Sequence, residues 1–120
     1  MKIVHLKNVE KNKVNIPLFT GAIIRQSPLA NIKESDLAID YIYFPKGIRN
    51  KFHSHSNGQV LVVTNGSGTI ATKSNKYKVK VGDIIWIPSG EIHWHGANAN
   101  SVFAHISITK VFTKINQVEK

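Results

Sequence analysis

Cysteine is absent from this chain of 120 residues. No disulfide can brace the fold and no thiolate can ligate a metal, so any ion held here must rest on nitrogen and oxygen. Also missing is an apolar run near the roughly 18 to 20 residues that a membrane helix needs. The opening Met1-Lys2-Ile3-Val4-His5-Leu6-Lys7 lacks the apolar stretch of a signal peptide. These absences lead to the expectation of a cytoplasmic protein with no membrane partner. Acidic side chains are few, seven against 16 Lys and Arg, for a formal charge of +9. Such an excess suits an anionic partner such as nucleic acid. Its distribution argues otherwise, because the lysines fall in an N-terminal group (Lys2, Lys7, Lys11, Lys13) and an alternating run (Lys73, Lys76, Lys78, Lys80). No aromatic residues interleave with them, and no helix-turn-helix, RRM or zinc-finger pattern is present. Solvated strand faces are the simpler reading, with no nucleic acid as partner.

A helical period is nearly absent as well. The one candidate, Pro28 to Ser35, is short. What is present instead is alternation of period two, with turn residues about every ten positions, the pattern of an all-β sandwich or barrel. A chain of this length suits one domain, residues 1–120, which can bury roughly two-thirds of its unfolded surface. The expected strands are Ile3 to Val9, Ala22 to Gln26, Leu37 to Phe44, Lys51 to His55, Gln59 to Thr64, Gly68 to Lys73, Lys76 to Val81, Ile84 to Ile87, Ile92 to His95 and Val102 to Thr109. Asn65-Gly66-Ser67-Gly68 reads as a hairpin turn, because Asn and Gly tolerate the positive φ of tight turns. Ser74-Asn75 is a second hairpin candidate. Gly82-Asp83 and Pro88-Ser89-Gly90 bracket Ile84 to Ile87.

Chemistry concentrates in the histidines. Four of the six form two His-x-His pairs, His53 with His55 and His93 with His95. On a strand, residues i and i+2 face the same side about 6.6 to 6.8 Å apart, so both imidazoles of a pair can lean onto one ion. A strand about 4.8 Å away can supply a further ligand.

Two stretches carry a family resemblance. Gly47-Ile-Arg-Asn-Lys-Phe-His53-Ser-His55-Ser-Asn-Gly-Gln59, followed by Gly66, resembles the first cupin motif. Gly82-Asp-Ile-Ile-Trp-Ile-Pro88-Ser-Gly90-Glu-Ile-His93 resembles the second. The resemblance spans roughly Leu37 to Thr109 and implies a cupin-type double-stranded β-helix, or jelly-roll barrel. It also implies one divalent transition metal ion held by His53, His55, Gln59 and His93. Two positions depart from the pattern: Gln59 stands where most cupins have glutamate, and Ala97 stands where an asparagine is common, with Asn98 one residue later. A neutral amide leaves the full +2 on the ion, whereas glutamate would lower the site charge to about +1. Ser56-Asn57-Gly58 breaks strand parity, so Gln59 either ligates or hydrogen-bonds beside the site.

His95 shares a face with His93 and either reaches the pocket or packs as an ordinary histidine. His105 shares a face with Phe103 and Ser107, and is either a general base near neutrality or a buried hydrogen-bonded group. Asp40 interrupts an apolar strand, and the outward face is its expected place. The string Trp86-Ile-Pro-Ser-Gly-Glu91-Ile-His93-Trp94-His95-Gly96-Ala97, with Gln59 and His105, is similar to a bacterial subgroup that includes manganese-dependent hydroxynitrile lyases. That likeness implies a metal-dependent enzyme on a small-molecule substrate, with His105 or His95 moving the proton and lyase chemistry favoured. It favours Mn or Fe among Mn, Fe, Co, Ni, Cu and Zn, all of which suit such ligands. Oxygen activation at iron and a non-catalytic binding module are the alternatives. A homodimer is expected, with Ile3 to Val9 adding to a neighbour's sheet.

Overall fold

A computed structural model describes residues 1–120 and shows ten strands and one short 3₁₀ turn, Leu6–Asn8. The strands are β1 (Asn12–Val14), β2 (Ile23–Gln26), β3 (Leu37–Phe44), β4 (His53–His55), β5 (Gln59–Thr72), β6 (Lys76–Lys80), β7 (Ile84–Ile87), β8 (His93–Ala97), β9 (Phe103–Lys110) and β10 (Ile115–Gln117). Every pairing is antiparallel. One sheet runs β1-β2-β3-β9-β5-β7 and the other β10-β4-β8-β5-β6, so β5 belongs to both. The fold is the expected all-β jelly-roll barrel. No helix is long and apolar enough to cross a membrane.

β5 makes the largest departure from the sequence expectation. Asn65-Gly66-Ser67-Gly68 is not a hairpin turn: the chain runs straight through it as one 14-residue strand. The register against β9 slips between Val63 and Asn65, and Gly66 takes φ +66°. The positive φ read from the sequence is therefore real, but it serves a bulge that turns the strand from the first sheet into the second. A Cβ at Gly66 would overlap the Val102 carbonyl oxygen, and Gly68 gives the Phe103 ring room to pack. The Ser74-Asn75 hairpin forms as expected, with Ala71 opposite Lys76. Gly82 makes its turn at φ +95°, but the strands on either side bond different halves of β5 and not each other.

Between the sheets lies one apolar cluster, in which Phe44, Phe103, Ile23 and Leu61 are the largest members and all but inaccessible to solvent. Full burial of each such side chain contributes roughly 1.5 to 3 kcal/mol. Inward residues alternate along β5 (Gln59, Leu61, Val63), as the period-two reading requires, whereas Phe103, Ala104 and His105 of β9 are all buried.

Three further expectations change. Ile3 to Val9 is no strand: it holds the 3₁₀ turn, and the Gln26 amide nitrogen donates to the carbonyls of Leu6 and Val9 at 2.8 and 3.0 Å. Pro28 to Ser35 is a series of isolated turns, closed by bonds such as Ile32 N to Leu29 O at 3.0 Å, because so short a segment does not overcome helix nucleation. The strands β1 and β10 escaped the sequence reading. Each has three residues and no buried face, and exists because a partner strand supplies its hydrogen bonds.

Gly66 and Gly82 separate steric from conformational cost. Gly66→Ala is expected to destabilise the protein by about 2 to 4 kcal/mol, because overlap with backbone adds to an unfavourable φ. Gly82→Ala, with nothing within 4 Å of its Cβ, is expected to cost about 1 to 2 kcal/mol. Urea unfolding of the two variants against the native protein measures the difference.

Candidate metal centre

The centre is built where the two motif strands meet. His53 of β4 stands opposite His93 of antiparallel β8, so the two His-x-His pairs overlap at these residues and carry His55 and His95 to opposite ends. The turn after β7 fastens this junction, since Gly90 N donates to His55 O at 2.9 Å and Ser89 Oγ to Ser56 O at 2.8 Å. On the other edge β10 sets Ile115 opposite His55 and Gln117 opposite His53. The Arg49 guanidinium holds the Glu119 carboxylate through two bonds of 3.0 and 2.8 Å, which ties down the C-terminus just beyond β10.

His53, His55 and His93 each bring one nitrogen to a common point, with the three nitrogens within 4.8 Å of one another. All three residues are buried. His53 Nδ1 donates to the Lys51 carbonyl at 2.6 Å and His93 Nδ1 to the Glu91 carbonyl at 2.8 Å, which leaves Nε2 of each ring as a free lone pair. Gln59 is 5% exposed and donates its amide nitrogen to Ser107 Oγ at 2.8 Å. Its Oε1, His55 Nδ1 and His93 Nε2 are buried without any hydrogen-bond partner. His105 Nδ1 is orphaned as well, and buried lone pairs of this kind, two of them within the three-histidine cluster, are costly unless a cation receives them. The residues therefore fit a metal ion, in a set of imidazole nitrogens and one amide oxygen.

A cavity of about 150 Å³ opens beside this group and is walled by His53, His55, Gln59, His95, His105 and Ser107 among others. His95 and His105 both face it, joined by a 3.0 Å hydrogen bond between His95 Nδ1 and His105 Nε2. Asn50 clamps His95: its Oδ1 accepts from the His95 backbone N–H at 2.8 Å, and its Nδ2 lies 3.2 Å from His95 Nε2. Sequence reasoning missed Asn50, which fills an unspecified position between Gly47 and His53 of the first motif. Asp40 is corrected from the outward face to the inward one. It stands opposite Ser107, on the side of β3 that carries Ile42 and Phe44, and it lines the cavity while accepting a 2.6 Å hydrogen bond from Ser27 Oγ. Trp94 lies outside the cavity and stacks under the Arg49 guanidinium at 4.7 Å.

Burial governs the charge of these groups. Desolvation, with repulsion from His93 second, takes His53 from 6.5 to about 3 and His55 to about 4. Burial likewise lowers His105 to about 3, and it lowers His93 and His95. At neutral pH all five imidazoles are uncharged, the form that binds a cation.

With fold and site in view, the chain is a β-barrel that gathers uncharged imidazoles around a place for a cation. It belongs to the cupin family, whose cupin domain matches residues 40–108. It is 34% identical over 92 residues to the (R)-mandelonitrile lyase of Granulicella tundricola, a match covering 75% of this chain and 70% of that one. A cupin-like protein from Thermotoga maritima superposes with a TM-score of 0.85 at 26% identity, over 94% of this chain and 89% of that one. The polyketide cyclase RemF from Streptomyces resistomycificus shares the fold, with a TM-score of 0.88 at 18% identity over 100% of this chain and 87% of that one.

These shifts make the metal-free protein acid-sensitive. Above pH 6.5 the folded and unfolded chains both carry neutral imidazoles. Below it the unfolded chain takes up protons that the folded one refuses, so stability falls as pH falls, levelling only near the folded values of about 3 to 4. Each such histidine contributes a slope of about 1.4 kcal/mol per pH unit. Thermal melts of chelator-treated protein are expected to drop steeply between about pH 6 and pH 4, and added divalent metal at neutral pH should raise the melting temperature.

Proposed function

We propose that this cupin is a metal-dependent lyase that breaks or forms a carbon–carbon bond next to a hydroxyl-bearing carbon of a small organic molecule. The observation that carries the reading is the His95–His105 pair, two buried neutral imidazoles joined at 3.0 Å on the cavity wall and not needed by the ligand cluster. The mandelonitrile lyase relative supports the same chemistry. Bound by His53, His55, His93 and Gln59, a divalent ion, with manganese or iron favoured, supplies Lewis-acid polarisation of a substrate oxygen.

The chain's own groups supply the rest. His105, neutral at pH 7, accepts the hydroxyl proton while the carbon–carbon bond breaks toward the leaving carbon. The same proton then passes to that carbon, so the step needs no oxidant or reductant. Burial lowers the basicity of this imidazole, so the ring does not retain the proton it takes. Asn50 holds the orientation of His95, and His95 holds His105. Phe44 packs against both rings, at 5.9 and 5.5 Å between centroids, and keeps this side of the site dry.

We infer in addition a homodimer formed through β7 and not through the N-terminal segment, which is no strand. β7 pairs only with β5 and presents Ile84 and Trp86, which are 71% and 64% exposed. Light scattering on a sizing column is expected to return twice the 13.4 kDa chain mass, and Ile84→Lys should lower it toward one.

Cyanohydrin cleavage by the metal-loaded protein, followed as aldehyde release, tests the activity. His105→Ala is expected to lower turnover by about 100-fold or more while metal content stays unchanged. Oxygen uptake that tracks turnover would instead assign the site to oxygen activation.

A further inference from the structure

The cavity contains two charged side chains that the reaction above does not use. Arg25 stands opposite Ile42 on β3, and Ile42 stands opposite His105 on β9, so the three form one inward row across three strands. In the next row Asp40 stands opposite Ser107. Both Arg25 and Asp40 line the same 150 Å³ cavity as His53, His55, Gln59 and His105. Arg25 lies at the open side, exposed, whereas its strand neighbour Ile23 on the same face is 1% exposed. The chain's ion pair is Arg49 with Glu119, and Asp40 accepts from Ser27 Oγ, so the Arg25 guanidinium makes no ion pair with a protein carboxylate. Its five N–H donors form a fork that matches a carboxylate in two places at once.

The charge balance of the cavity points the same way. Five neutral histidines and the neutral Gln59 amide leave the +2 of a bound divalent ion uncompensated, and Arg25 and Asp40 cancel each other. A net positive cavity on a chain of formal charge +9 draws in anions. Asp40 repels a carboxylate from its own row, which leaves the Arg25 end. The cavity wall also includes Ile16, Leu18 and Phe19, apolar residues that suit a short hydrocarbon spacer. A cavity of about 150 Å³ suits a small molecule of this kind.

We propose that Arg25 is the substrate-recognising residue of this cavity, and that the substrate is a small carboxylate whose acid group sits a few bonds from the carbon that reacts beside His105. Two strand spacings, about 10 Å between backbones, separate the Arg25 and His105 positions, and the arginine side chain reaches across part of that span. The proposal rests on reading this cavity as the substrate site, but it does not depend on which bond is broken there.

Calorimetric titration of the metal-loaded protein with 4-hydroxybutanoate and with its isosteric amide, 4-hydroxybutanamide, tests it. The acid is expected to bind about tenfold tighter than the amide or better. Arg25→Gln should remove most of that preference while leaving amide affinity within about twofold, and Arg25→Lys should retain part of it. A preference for the acid that survives Arg25→Gln would put the carboxylate on the ion and overturn the assignment. Equal binding of acid and amide by the native protein would overturn it too. Failure of the lyase reading is visible separately: the cyanohydrin of 4-oxobutanoate would go uncleaved while the Arg25-dependent preference in binding persists.

Discussion

Five imidazoles are held out of water and without charge between two curled sheets, and the rest of the molecule is arranged around that burial. A protonated histidine in so apolar a place is costly, so the fold keeps each ring as a free base. The rings that meet at the common point spend one nitrogen on a local carbonyl where one is offered, at Lys51 and Glu91, and leave the other for an ion. The two that stand aside, His95 and His105, hydrogen-bond each other. One packing arrangement thus yields two groups of buried imidazoles, divided by which partner each ring finds.

That arrangement depends on β5. One continuous strand carries Gln59 into the cavity from the first sheet and then, past the Gly66 bulge, pairs with β8 in the second, where His93 and His95 lie. The distance between the two halves of the site is therefore a property of a single strand and its bend. Glycine at position 66 permits both the left-handed backbone and the close approach of Val102. The loop after β7 and the C-terminal strand β10 then fasten β4 from its two sides, which keeps a three-residue strand with two of the clustered histidines in register.

Gln59 sets the electrostatic character of the cavity. A carboxylate there would neutralise half the charge of a divalent ion, whereas the amide, steadied by Ser107, leaves that charge to act on whatever enters. The cavity's other charges, Arg25 and Asp40, come from β2 and β3, outside the stretches that carry the histidine motifs. Those two strands supply cavity walls that the histidine motifs do not.

By itself the sequence determined the class of fold, the eight strands with an alternating or continuous apolar pattern, and the identity of the three clustering histidines. Period-two alternation and i, i+2 spacing are local rules that need no partner to operate. The segments it misjudged are those whose state depends on a distant neighbour. Asn65 to Gly68 has turn chemistry, but β8 and β9 supply hydrogen bonds that hold it as a bulged strand. β1 and β10 are polar triplets made strands by β2 and β4. Tertiary structure alone decided that Gln59 turns its oxygen free into the cavity, that Asp40 faces inward, that Asn50 clamps His95 and that Arg25 shares a row with His105. Strand register fixes each of these, and register is set by contacts between strands far apart in the chain, beyond the reach of any local pattern.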